Sequence, residues 1–296
     1  MTADTRRPTG HPRLALPTMP ASLSPRLLAA ALLVAAGASS ASAQGRTYQF
    51  GTYNTAGACT QVEPGATVLG APGIGNAYGC SQVGGATANL VVTAATASGS
   101  APASTFSASA VKPIGAGYGF GVGSVAEGGL NAASWNGDHS VDNGGLGGID
   151  LLAFAFNAPV ALKTVTLGWT GSDADLQVLR FIGAGAPALA GLTVGTATTT
   201  GGWELVDAKN VAGGLRNVTF DVNAGGRGSA YWAISAYNAG LGTTRGFVAD
   251  NTVDQFKVLG LTTGAPTAVV PEPSTYALMG AGLLGLAGAA RRRRAA

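Results

Sequence analysis

From Leu151 to Leu261 the chain repeats one pattern. A short run alternates apolar with polar residues, and a break of Gly, Asn, Asp or Pro follows, about every ten residues. The runs are Leu151–Phe156, Leu162–Trp169, Asp175–Ile182, Trp203–Val206, Asn217–Val222, Ser229–Tyr237 and Gln255–Leu261. A period of two belongs to half-buried strands, and no stretch of this region holds a 3.6-residue period. Asn157-Ala158-Pro159 reads as the turn between the first two runs. In the second run Leu162, Thr164, Thr166 and Gly168 share one face, opposite Lys163, Val165, Leu167 and Trp169. Glycine supplies 47 of 296 residues, which disfavours long helices and suits strands joined by turns. The expected fold class is all-β: a β-sandwich or jelly-roll-like domain.

Residues 44–134 form a Gly/Ala-rich N-terminal β part, and 135–264 the sandwich portion proper. In the first, Asn89–Ala95 and Thr105–Val111 are the clearest strands. Ile114–Gly123 (IGAGYGFGVG) has Gly-x-Gly-x-x-Gly-like spacing. No helix-forming run follows it, so it reads as a Gly-rich strand or hairpin with Tyr118 and Phe120 on one face rather than a phosphate loop. The two cysteines, Cys59 and Cys80, are expected to form a disulfide if the chain is exported. Two cysteines with no nearby histidine do not make a zinc site.

Both ends read as processing signals. Leu27–Gly37 (LLAAALLVAAG) has the length of a signal-peptide h-region and follows Arg26. Ala41-Ser42-Ala43 then forms an A-x-A site, so residues 1–43 are the expected signal peptide. The Sec translocon and signal peptidase would handle it, and cleavage would leave Gln44 first. Met1–Thr18 is long and Pro/Arg-rich for an n-region, which makes Met19 a candidate start. At the other end stand Pro271-Glu272-Pro273, an apolar stretch Tyr276–Ala290, and Arg291, Arg292, Arg293 and Arg294. The prolines hold an extended segment, the apolar stretch is a single membrane-inserting helix, and the arginines stop transfer. Fifteen residues rich in glycine suit a transient anchor.

This tail, 265–296, resembles the PEP-CTERM sorting domain. The resemblance implies cleavage near Pro271-Glu272-Pro273 by an exosortase, a membrane transpeptidase for which Glu272 is a recognition residue. It also implies a Gram-negative envelope or matrix and links to exopolysaccharide and biofilm. The body resembles exosortase-dependent surface proteins as well, through Val141-Asp142-Asn143, Leu167-Gly168-Trp169, Asp173-x-Asp175, Trp232 and Asp254-Gln255-Phe256-Lys257. That second resemblance implies display and no particular activity.

Charge excludes one class of partner. The formal +3 comes from the ends; residues 44–270 carry nine Lys and Arg against twelve Asp and Glu, about −3. Nucleic acid is therefore not an expected partner. Asp138, Asp142, Asn143 and Asp150 cluster in a Gly-rich stretch, and Asp173 and Asp175 precede a strand. These hard oxygen ligands make calcium the candidate cofactor. Turn-forming side-chain hydrogen bonds are the competing account of the same residues. His139 is the one histidine after signal removal and reads as an exposed loop residue. Asp173 or Asp175 with Glu204 is the pair a glycan hydrolase would use. Trp135 and Trp203 are the tryptophans expected at the surface, where they would stack on a glycan; Trp169 and Trp232 read as core. Scarce histidine and glutamate, and no nucleophile motif, argue against an enzyme. The expectation is a non-catalytic surface or matrix protein. A calcium-stabilised carbohydrate-binding module and a secreted glycan hydrolase are the other two readings.

Overall fold

The computed structural model describes residues 45–51, 59–63, 75–115, 117–124, 126, 139–144, 148–250 and 252–267. It also describes 279, 282, 283, 286 and 291–294 of the tail. The expected signal peptide with Ala41, Ala43 and Gln44, the loop residues Trp135 and Asp138, and Pro271-Glu272-Pro273 lie outside these. No helix among the described residues is long and apolar enough to cross a membrane. Most of 276–290 falls outside them, while Arg291–Arg294 are helical and exposed.

The fold is mostly β. Its strands are β1 (Arg46–Gln49), β2 (Cys59–Glu63), β3 (Ala77–Ser81), β4 (Ala88–Ala97), β5 (Phe106–Pro113), β6 (Phe120–Gly123) and β7 (Val141–Asp142). They continue with β8 (Ile149–Thr170), β9 (Leu176–Phe181), β10 (Trp203–Lys209), β11 (Val218–Asp221), β12 (Ser229–Ala236) and β13 (Gln255–Gly264). A short helix, α1 (Val194–Ala197), carries a capping box between Thr193 and Thr196.

The strands do not separate into two independent sheets. Pairings β8–β4, β4–β5, β5–β6, β6–β13 and β13–β8 close a ring, a small barrel. Wings extend from it: β12, β9 and β10 from β8, and β3 and β2 from β4. The N-terminal part and the sandwich portion thus build one body, since β1 and β6 pair with β13 and β4 pairs with β8.

Two strands are long enough to serve both sides of the barrel. β5 gives its first half to β4 and its second to β6. β8 runs 22 residues, pairing β12 and β4 first, then β11 and β13. It passes straight through Asn157-Ala158-Pro159, where the sequence predicts a turn. Proline cannot donate to a ladder, and here it does not need to. The β12 register shifts between Ser229 and Tyr231, opposite this exposed stretch, so the strand bends there instead of reversing. A further shift between Thr262 and Thr263 puts Leu162, Val165 and Leu167 in one core, breaking the expected alternation.

The main core fills the barrel. Phe50 stacks on Phe120 and Phe154, with ring centroids 5.0 and 5.9 Å apart, and Tyr78 packs on Phe120. The wing of β12, β9 and β10 is buried on both faces. Leu152, Phe154, Leu176, Val178, Trp232 and Ile234 face the main core. Leu151, Leu179, Trp203 and Ala233 face a second one, which α1 and Leu192 cover. Trp203 is therefore only 2 % exposed and packs on Phe181, which corrects the expectation of a surface tryptophan. Trp232 is core as expected. Trp169 is half-buried, with the Lys257 ammonium 4.0 Å above its ring. His139, expected on an exposed loop, is 7 % exposed. Its carbonyl lies where a Cβ on Gly121 would be, so only glycine lets the two chains approach. Tyr118 lies in the β5–β6 turn under Arg216 rather than beside the buried Phe120.

Candidate functional site

Asp173 and Asp175 lie on the connection between β8 and β9. Its backbone is pinned from both sides. Gln255 N–H donates to the Asp173 carbonyl at 2.9 Å, Ala174 N–H to the Val211 carbonyl at 3.1 Å, and Tyr237 N–H to the Asp175 carbonyl at 3.0 Å. Residues 211–214 press on the same connection, and Gly213 has no room for a Cβ against the Ser172 carbonyl.

This framework gathers four carboxylates. Asp173, Asp175 and Asp250 each offer an oxygen within 4.8 Å of the others. Asp173 and Asp175 are buried, while Asp250 is exposed and opens the cluster to solvent. Asp175 Oδ1 accepts Val211 N–H at 3.0 Å. Asp254, at the entry of β13, accepts Asp175 N–H on Oδ1 at 2.6 Å and the Asn143 amide on Oδ2. Asn143 returns the bond by accepting Asp254 N–H at 2.9 Å. The ion pairs of Glu204 with Arg180 and Arg227, and of Asp207 with Lys209, lie elsewhere.

Like charges without a counter-charge resist ionisation. Burial first, then the neighbouring carboxylates, pushes Asp254 up to about 8 and Asp175 up to about 6. Burial and the Asp250 charge raise Asp173. Asp250 is held low by the Thr252 N–H that its carboxylate accepts at 2.8 Å. Burial, with Asp175 and Asp254 beside it, raises the Tyr237 phenol.

The calcium residues named from the sequence are thus dispersed. Asp173 and Asp175 come together, and Asn143 supports Asp254. Asp142 stands opposite Gln255 in the β7–β13 pair. Asp150 lies on β8, where it accepts the Thr96 hydroxyl. Asp138 is outside the described residues. Sequence reading missed Asp250 and Asp254 as site residues. The one available signal was the Asp254-Gln255-Phe256-Lys257 segment, which it used only as a family mark.

The glycosidase pair is also dispersed. Glu204 stands opposite Arg180, five residues along β9 from Asp175. At ~3.3 Å per residue that is about 16 Å, beyond the ~5–9.5 Å that either glycosidase geometry uses. Arg180 binds Glu204 at 2.6 Å, and Arg227 binds its other oxygen.

The second functional element is the tail. β13 ends at Gly264, and Thr267 N–H donates to the Gly226 carbonyl at 2.8 Å. A family model described as the PEP-CTERM protein-sorting motif matches residues 269–294. The chain carries a PEP-CTERM motif. It is accordingly an exported protein sorted by an exosortase, anchored in the membrane only transiently. No curated protein and no solved structure matches the chain. The PEP-CTERM match begins five residues past the end of β13 and covers none of the barrel.

A disulfide joins Cys59 to Cys80, which face each other across β2 and β3. An exported chain keeps such a bond.

Proposed function

We propose that this chain is a non-catalytic surface or extracellular-matrix protein of a Gram-negative cell, associated with exopolysaccharide or biofilm. In this reading, residues 1–43 direct export through the Sec translocon and are removed by signal peptidase. The tail then holds the protein at the inner membrane until an exosortase cuts near Pro271-Glu272-Pro273. One observation carries the reading: the sorting motif begins only after the last described strand, which closes the barrel ring. β13 pairs with β1, β6, β7 and β8, so a cut beyond Val270 leaves every described strand in place. The spacing of Glu204 from Asp175, and its engagement by two arginines, speak for binding or scaffolding over hydrolysis.

Intact mass in the native host tests the proposal. The protein from wild-type cells is expected to start at Gln44 and end between Pro271 and Thr275, with or without an added group. Cells lacking the exosortase are expected to retain 276–296, and the matrix fraction is expected to lose the protein. A wild-type mass that keeps the tail would overturn the reading.

A further inference from the structure

We propose that Asp173, Asp175 and Asp250 form a Ca²⁺ site that ties the segment before β13 to the β8–β9 connection. The proposal goes beyond the sorting reading and does not depend on it. Three observations carry it.

The first is reach. Oxygens bound to one ion lie at most two bond lengths apart. For Ca²⁺, with bonds of about 2.4 Å, that limit is about 4.8 Å; for Mg²⁺ it is about 4.1 Å. The three carboxylate oxygens lie within 4.8 Å of one another. All three can therefore reach one calcium ion as they stand.

The second observation points to a ligand independently of the clustering. Asp173 is 7 % exposed, and its Oδ2 is buried with no hydrogen-bond partner. A buried carboxylate oxygen without a partner is costly unless something positive meets it. The neighbour its carboxyl faces is the Asp250 carboxylate, which it can meet without a cation only by sharing a proton. Asp175 has one oxygen committed to Val211 N–H, and no hydrogen bond among the described residues engages the other.

The third is access and support. Asp250 is exposed, so an ion can enter and keep waters on its open side, as calcium with few protein ligands does. Asp254 and Asn143 hold the Asp175 backbone from behind through paired hydrogen bonds, which fixes the site before the ion arrives. Every donor is a hard oxygen, which favours calcium over softer metals.

The test uses the full-length chain, purified in mild detergent and stripped with EDTA. CaCl₂ and, separately, MgCl₂ are titrated by calorimetry, and melting is followed in parallel. Calcium is expected to bind with Kd of about 10⁻³ M or tighter, the range of extracellular modules, and to raise Tm. Magnesium is expected to bind at least about tenfold more weakly. Asp250→Asn, at an exposed position that leaves the fold intact, is expected to weaken calcium at least about tenfold. Asp173→Asn is expected to abolish binding. A folded wild-type protein with no calcium heat and no Tm shift would overturn the proposal. So would an Asp250→Asn variant that binds calcium as the wild type does.

Discussion

Replacing Cys59 and Cys80 together with alanine is expected to lower Tm by about 7–9 °C. The bond closes a loop with a sequence separation of 21. In the chain-entropy relation, opening such a loop returns about 11 cal/mol/K to the unfolded chain, or ~3.3 kcal/mol at 25 °C. The barrel spans about 220 residues, so its unfolding entropy near the midpoint is ~0.46 kcal/mol/K at ~2.1 cal/mol/K per residue. The quotient is about 7 °C. Cys80 is buried in the main core, and losing its sulfur adds up to about 1 kcal/mol, another ~2 °C. Calorimetry on oxidised wild type, wild type reduced with thiol, and the double variant separates the two contributions, since reduction opens the loop without removing atoms. β2 pairs only with β3 among the described strands, so a competing outcome exists. A double variant melting within about 2 °C of wild type would refute the reasoning. It would mean that the bond merely holds an edge strand that frays before the barrel unfolds.

Three further expectations follow from the packing and charge. Gly121→Ala places a Cβ on the His139 carbonyl, where both partners are backbone, so the variant should fail to give soluble folded protein or melt more than about 6 °C lower by circular dichroism. Trp232→Ala empties a fully buried site and strands the Ser229 carbonyl that the indole N–H reaches at 3.0 Å; chemical denaturation should show a loss of about 3–5 kcal/mol. In excess chelator, stability should fall as pH rises from about 4 toward 8. Asp175 and Asp254 keep their protons to about 6 and about 8 when folded but release them near 4 when unfolded, so the folded state holds more protons across that window. A chelated protein whose Tm rises over that window would contradict this.

The β class was legible because the apolar residues of β8, β9, β12 and β13 are frequent enough to show a period of two in the sequence, even though β8 changes phase at its register shift. Strands β1, β2, β3, β6 and β7 were not. They are short, or rich in glycine and small residues, and their place is decided by pairing with distant partners such as β13. Pro159 misled because a proline between two apolar runs marks a turn in most contexts; only the shifted β12 register shows that this one marks a bend. Trp203 misled because its polar neighbours suggested solvent, whereas Leu192, Val194 and Ala197, tied to β5 by the Phe106 N–H to Leu192 carbonyl bond, cover the outer face of its sheet. Gln177 is a related case: it alternates as a surface residue would, yet it is fully buried, donating to the Asn238 and Gly242 carbonyls. The carboxylate site was half legible. Asp173 and Asp175 announce themselves by spacing, but Asp250 joins them across 75 residues, a distance no local motif encodes.

That long-range origin makes the site a test of how the barrel is held shut. The β6–β13 side of the ring closes through a single residue pair, Phe120 with Val258, just inside the entry of β13. The carboxylates lie at that entry, where Gln255 N–H meets the Asp173 carbonyl and Asp175 N–H meets Asp254. Without a cation, mutual repulsion favours local opening at this seam. Calcium at ten times its Kd would add ~1.4 kcal/mol against opening, slowing amide exchange about elevenfold. Hydrogen exchange should therefore slow on calcium addition at Asp175, Val211 and Gln255, and stay within about twofold in the β9–β10 wing, whose amides answer to a different opening. Equal slowing everywhere would mean that calcium stabilises only global folding. No slowing at Gln255 would mean that the seam does not open there, and the structural role assigned to the ion would fall even if binding were measured.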